Sequence, residues 1–149
     1  KHSSILLIKM RVEKCKSKFN VFFIRLDPGE EVITTLEKIA VENGIKFGFI
    51  FGIGAVKNVE LGYYTGKRYV RNRLYEFFEV TSLIGNISML KDKPFVHCHI
   101  TLGKENGEII GGHLFKAEVS YTMEIMIIAA EQPILERKYD EKTKLNILS

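Results

Sequence analysis

The sequence predicts an α+β fold, a mostly antiparallel sheet packed with one main helix. Three observations carry that reading. A single stretch, residues 27–44, repeats its apolar residues at helical spacing. Nearly every other segment is a short run of branched and aromatic residues cut by Gly, Asn or Pro. No further helical segment alternates with those runs, which argues for antiparallel pairing over a succession of βαβ units. With 149 residues, 46% of them apolar and 27% charged, the chain is expected to form one domain over residues 1–149. That composition excludes disorder and collagen-like repeats.

The elements follow in order. Residues 5–12 and 20–26 are expected as the opening strands, with the charged stretch 14–18 as the hairpin loop between them. Lys14, Lys16 and Lys18 read as the soluble tip of that hairpin. The helix comes next. Pro28 suits its first turn, Glu30 and Glu31 favour its positive N-terminal end, and Gly44 sits where a left-handed stop is wanted. Val32, Ile33, Leu36, Ile39 and Ala40 form its buried stripe. Strands are then expected at residues 47–53, 56–63, 75–80, 83–89, 95–102, 109–115 and 119–129. Gly52 and Gly54, between two of them, lack the third glycine of a phosphate-binding loop and fit a bend or a close approach of backbones.

Several classes of protein drop out. No window reaches the roughly 18 uninterrupted apolar residues of a membrane span, and no secretory signal is visible, so a cytoplasmic location is expected. Cys15 and Cys98 cannot build a disulfide framework and fit a reducing compartment. The net charge of +4 permits a nucleic-acid partner without requiring one.

The most informative segment is FVHCHITLGKENGEIIGGHLF. In a strand over residues 95–102, His97 and His99 share one face, while Val96, Cys98, Ile100 and Leu102 share the other, which belongs to the core. Whether His113 joins them depends on the hairpin register. A two-residue turn at Asn106-Gly107 would oppose Glu105 to Glu108 and send His113 to the core face. A three-residue loop, with Gly107 left-handed, opposes Lys104 to Glu108 instead and sets His99 across from His113, with His97 on the diagonal. The charge pairing favours the second arrangement, although a bulge at Gly111-Gly112 would shift it. Three neutral histidines without a fourth protein ligand make an open site for zinc or another first-row transition metal. The alternative is three unrelated histidines satisfied by backbone or solvent.

These residues, with others, resemble the PPC family (plants and prokaryotes conserved domain). The resemblance rests on Pro28-Gly29-Glu30, on Gly52-Ile53-Gly54-Ala55-Val56, on Phe78-Glu79-Val80-Thr81-Ser82-Leu83-Ile84-Gly85, and on Gly107-Glu108-Ile109-Ile110-Gly111-Gly112-His113-Leu114. It implies an α+β fold assembling as a homotrimer. It also implies that His97, His99 and His113, which match the HxH…GGH pattern of the free-standing prokaryotic members, are metal ligands. Plant members lack these histidines and carry an Arg where this chain has Phe77, and no AT-hook Arg-Gly-Arg-Pro occurs here.

Two functions are therefore weighed. The first is DNA association, the role the resemblance implies. Its local signal is GYYTGKRYVRNRLYE, where Lys67, Arg68, Arg71 and Arg73 alternate with tyrosines, as on a nucleic-acid surface. A solvated loop whose tyrosines pack on the domain or on a neighbouring subunit is slightly favoured, and no helix-turn-helix or zinc-finger spacing exists for reading bases. The second is metal-dependent chemistry, or small-molecule binding, at the open coordination position. Glu79 is the first candidate for a proton acceptor or a partner to a histidine. A structural carboxylate is favoured over that role, and Cys98, facing the core, is not expected to act as a nucleophile.

Overall fold

A computed structural model describes residue 10, residues 12–15 and residues 17–149 of the chain. The strand expected at residues 5–12 falls largely outside the described residues, as do His2 and Lys16. Met10 and Val12 are described, exposed and in no strand.

The described residues form eight strands and one helix. They run β1 (Phe19–Leu26), α1 (Val32–Glu42), β2 (Gly48–Tyr64), β3 (Tyr69–Leu74), β4 (Phe78–Leu90), β5 (Lys93–Gly103), β6 (Ile109–Ala130), β7 (Arg137–Asp140) and β8 (Leu145–Leu148). The first six strands make one sheet in the order β1-β6-β5-β4-β2-β3, and β6 also pairs with β2. Strands β2, β4, β5 and β6 thus close into a ring, all antiparallel, with β1 laid along the second half of β6 and β3 along the end of β2. The hairpin β7–β8 is a separate two-stranded sheet.

The α+β class and the antiparallel pairing stand as the sequence predicts, but three pairs of expected strands merge and β3, β7 and β8 are additional. Residues 48–53 and 56–63 belong to the single strand β2, 78–80 and 83–89 to β4, and 109–115 and 119–129 to β6, while residues 75–77 of the expected strand 75–80 precede β4. The turn-like residues between them are bulges, not loops. The register shifts at Gly52/Gly54 on β2 and between Val80 and Ser82 on β4, and Asn58 takes a left-handed φ of 50° where β2 slips against β6. A bulge adds a residue and sharpens strand twist without ending the pairing, which lets two long strands bend enough to close the ring. Gly52 sits where backbones approach closely: a Cβ there would lie 2.7 Å from the Glu124 carbonyl oxygen.

The helix starts later than the sequence suggests. Pro28 and Glu30 lie in the preceding turn, where the Asp27 N–H donates to the Glu30 carboxylate. Glu31 is the N-cap, accepting from Ile33 N at 3.1 Å and Thr34 N at 2.9 Å, and its other reach is to Ala117 N on β6 at 3.0 Å. The cap carboxylate therefore ties the helix start to the sheet as well as satisfying the helix's own orphan donors. Val32, Leu36 and Ala40 are fully buried against the ring, with Ile33 and Ile39 at the edge of the same cluster, so the predicted stripe holds. Gly44, at φ 65°, ends the helix as a left-handed residue. Among the described residues no helix is long and apolar enough to cross a membrane.

Inward-facing side chains, Ile50, Val56, Leu83, Ile87, Ile100, Leu102, Met123 and Ile125 among them, fill the core. The outward faces carry one cross-strand row that bears on function. Phe23 pairs with Met126, Met126 with Phe51, Phe51 with Ile84, Ile84 with His99, and His99 with His113. The row leaves β6 at Met126, crosses the ring and returns to β6 at His113.

Candidate metal centre

The hairpin joining β5 to β6 sets the site. Gly107 N donates to the Lys104 carbonyl and Lys104 N to the Glu108 carbonyl, both at 2.9 Å, and Asn106 Oδ1 accepts from Glu108 N at 3.0 Å. Gly107 has φ 85°. This is the three-residue loop that the charge argument selects, and it places His99 directly opposite His113. No bulge intervenes at Gly111-Gly112. These glycines are there because the backbones touch: a Cβ on Gly111 would collide with the Ile100 carbonyl oxygen of β5, and one on Gly112 would lie 2.9 Å from the Gly62 carbonyl oxygen of β2.

The three imidazoles form a nearly equilateral triangle. Ring centroids are 5.1 Å apart for His97 and His99, 5.2 Å for His97 and His113, and 5.6 Å for His99 and His113. One nitrogen from each lies within 4.8 Å of the other two. His99 is exposed; His97 and His113 are half-buried. Burial, helped by the Arg137 cation and then the other two histidines, lowers the His97 pKa to about 4. Burial, then His99 and Arg71, lowers that of His113 to about 4. Both rings are therefore neutral near pH 7, the form that offers a lone pair to a metal.

The donor set fits an ion on a further observation. His113 Nδ1 is buried and has no hydrogen-bond partner. An orphaned ring nitrogen in such a place costs free energy unless something occupies it. An ion held about 2.0–2.1 Å from each of three imidazole nitrogens is the arrangement of an open zinc site, which rotation of the three side chains toward one another would supply.

A cavity of about 250 Å³ adjoins the triangle. Tyr69 of β3, Phe95 of β5 and Phe115 of β6 wall one side; Leu145 and Ile147 of β8 wall the other. The His113 ring lies 4.5 Å from that of Phe115 and 5.0 Å from that of Tyr69. Tyr64 Oη donates to the Thr143 carbonyl at 2.7 Å, tying the β7–β8 hairpin over the site. Arg137, the first residue of that hairpin, brings its guanidinium to 3.4 Å from His97 Nδ1.

The four basic residues proposed for nucleic acid do not form one free patch. Lys67 and Arg68 sit in the turn between β2 and β3, exposed. Arg71 and Arg73 lie on β3, a strand the sequence reading missed because its alternation is of charges and not of apolar residues. Both reach Glu60 on the neighbouring strand, at 2.7 Å and 3.8 Å, and Arg71 also stacks 3.8 Å from the Phe115 ring centre. Of the tyrosines, Tyr64 and Tyr69 are packed into the site wall, while Tyr63 and Tyr75 remain exposed.

Glu79 is exposed and pairs with Gly103, four positions along β5 from His99. At the usual strand rise that separates them by about 13 Å, beyond hydrogen-bond reach of any of the three rings in the same chain. Cys98 is buried in the core, and burial pushes its thiol up to about 12, so it is inert as a nucleophile. The residue that sequence reasoning missed is Arg137. Its segment carries no motif, and the groups it meets are far away in sequence.

Comparison with known proteins fits this geometry. The profile of the Plants and Prokaryotes Conserved domain matches residues 13–131. A metal-containing protein from Archaeoglobus fulgidus is 39% identical, with a TM-score of 0.88 over 94% of this chain and 99% of that one. A plant- and prokaryote-conserved protein from Pyrococcus horikoshii is 34% identical, with a TM-score of 0.87 over 94% and 97%. A candidate DNA-binding protein from Bacteroides thetaiotaomicron is 28% identical, with a TM-score of 0.83 over 91% and 96%. Among curated sequences, the bifunctional protein GlmU of a Synechococcus strain is 29% identical over 112 residues, 73% of this chain; the chain spans only 16% of that protein's length.

Proposed function

The chain belongs to the Plants and Prokaryotes Conserved domain family, and from that premise we propose that it is a metal-binding protein in which His97, His99 and His113 hold one zinc or similar first-row ion, with the open coordination position available to a small molecule. The observation that carries this reading is the triangle of imidazoles with the buried, unpartnered Nδ1 of His113. The metal-containing relative at 39% identity supports it. A bound ion of this kind polarises a ligand oxygen or acidifies a bound water. The chain's own residues fix the rings in place: the β5–β6 ladder holds His99 against His113, and Asn86 lies opposite His97 on β4.

The test is elemental analysis of protein purified without a histidine tag. About one ion per chain is expected, and His99→Ala should abolish it, because two imidazoles bind weakly. Full occupancy in the triple His97, His99, His113 to Ala variant refutes the site.

The functional unit in this proposal is a homotrimer. Its support is the apolar row on the outward face, where Phe23 is 68% and Ile84 45% exposed, flanked by Val21, Phe49 and Ile53. A contiguous exposed face of this kind marks an interaction surface; the number three comes from the family resemblance. A monomer by light scattering at micromolar concentration would overturn it.

DNA association is the second reading, favoured by the Bacteroides relative and by the +4 charge. Its surface would centre on Lys67 and Arg68, which enter no ion pair among the described residues, since Arg71 and Arg73 share Glu60. Weak binding that falls steeply with salt and is lost in a Lys67→Ala, Arg68→Ala variant would support it; binding indifferent to both would dismiss this surface.

A further inference from the structure

We infer that the cavity beside the three histidines takes a small organic carboxylate, anchored by the Arg137 guanidinium. Arg137 is half-buried and makes three hydrogen bonds: Nε donates to Ser88 Oγ at 2.8 Å, Nη2 to Asn86 Oδ1 at 2.8 Å, and Nη1 to the Asn146 carbonyl at 3.2 Å. All three acceptors are neutral. Among the described residues no Asp or Glu lies within ion-pair distance of it. A cation held half out of water without a counter-charge is costly, and an anionic ligand beside it would offset that cost.

The three bonds also hold the guanidinium rigid. Of its five N–H groups two stay available, one on each terminal nitrogen, once the long contact from Nη2 to His97 Nδ1 is discounted. That contact cannot be a hydrogen bond if His97 ligates an ion through Nε2, because Nδ1 then carries a proton. A fixed planar fork with two open donors suits a carboxylate.

The rest of the cavity argues for an organic ligand over an inorganic anion. Phe95 lies 5.4 Å from the guanidinium, and Phe115, Leu145 and Ile147 offer apolar surface to whatever the carboxylate carries. At about 250 Å³ the space is smaller than that of most drug-sized ligand pockets, which limits the ligand to a few carbons or one ring. Arg137, Leu145 and Ile147 lie beyond residue 131, where the family profile ends. The hairpin at residues 137–148 thus supplies the proposed anchor, while Phe95 and Phe115, inside the profile match, supply the rest of the apolar wall. The inference rests on the metal reading in two respects, that Nε2 ligation leaves His97 Nδ1 protonated and that a carboxylate oxygen beside His97 and His113 can complete an ion's coordination.

Isothermal titration with benzoate, its neutral isostere benzamide and inorganic phosphate tests the inference on the zinc-loaded full chain. Benzoate should bind, benzamide at least about tenfold more weakly, and Arg137→Gln should weaken benzoate by about tenfold or more, as loss of a charged hydrogen-bond partner does. Zinc content and melting temperature of the variant show whether it remains intact, and Arg137→Lys, which keeps the charge, should recover part of the affinity. Equal binding of benzamide, unchanged binding by Arg137→Gln, phosphate binding tighter than benzoate, or no benzoate binding would each overturn it. Should the chain retain no zinc, the metal reading fails by itself; benzoate binding to the metal-free chain with the same Arg137 dependence still upholds the anchor, and its absence there refutes it.

Discussion

Replacing Gly111 by Ala probes the link between the β5–β6 ladder and the metal centre. The added Cβ collides with the Ile100 carbonyl oxygen, a backbone atom that no rotamer change can move away. Restoring an ordinary contact near 3.5 Å requires the two strands to part by roughly 1 Å, two positions from the His99–His113 pair. Metal–ligand distances tolerate only about 0.2 Å. The parting adds to the closing that the three rings must already make to reach those distances, so zinc retention should fall below that of the parent. Overpacking of this kind costs about 1–3 kcal/mol, which in a chain of this length lowers the melting temperature by about 2–12 °C. Gly103 provides the control on the same ladder. A Cβ there meets side-chain atoms alone, the nearest being Thr81 Cγ2 at 3.4 Å, so Gly103→Ala should leave both zinc content and melting temperature nearly unchanged. Thermal denaturation and elemental analysis of the two variants decide the matter. A Gly111→Ala protein that keeps its full zinc and melts like the parent would refute the claim that backbone proximity sets the histidine triangle.

Two further outcomes are expected. Cys98 faces the core and its thiol is pushed up to about 12, whereas Cys15 is half-exposed, donating to the Gln132 carbonyl at 3.0 Å. A thiol-reactive disulfide reagent should consume one thiol per native chain and two per unfolded chain, and rapid reaction of both in native protein would place Cys98 on the wrong face of β5. Arg71 holds the Glu60 carboxyl below the usual carboxylate range, so the folded pKa lies beneath the unfolded one. The stabilisation is then present above the unfolded value of about 4.5 and is lost as pH falls through the depressed folded value. Glu60→Gln should lower the melting temperature at neutral pH and make no difference in strong acid; an equal loss at both would show that charge is not what the pair contributes.

The histidine triangle was legible because everything that decides it is local. Lys104, Glu108 and Gly107 select the loop, the loop selects the register, and side-chain alternation does the rest over seventeen residues. The helix stripe was legible for the same reason, although its start was not. Glu31 caps it through Ile33 N and Thr34 N, but its carboxylate is also held by Ala117 N, a partner 86 residues away that no local signal predicts. Strand ends in β2, β4 and β6 differ because Gly54-Ala55, Thr81-Ser82 and Lys116-Ala117-Glu118 interrupt the runs of branched and aromatic residues. Only the pairing with neighbouring strands shows that the register shifts there while the strand continues. Arg137 lies furthest from sequence reasoning, since Ser88 and Asn86, which fix its guanidinium, are 49 and 51 residues away. The division has a functional consequence. Residues that hold the proposed ion sit in one contiguous hairpin, so the centre can persist while the hairpin at residues 137–148 changes. The proposed anchor rests on long-range contacts from that second hairpin, and members of the family that keep the three histidines but carry a different C-terminal segment are expected to differ in what they bind while agreeing in the metal they hold.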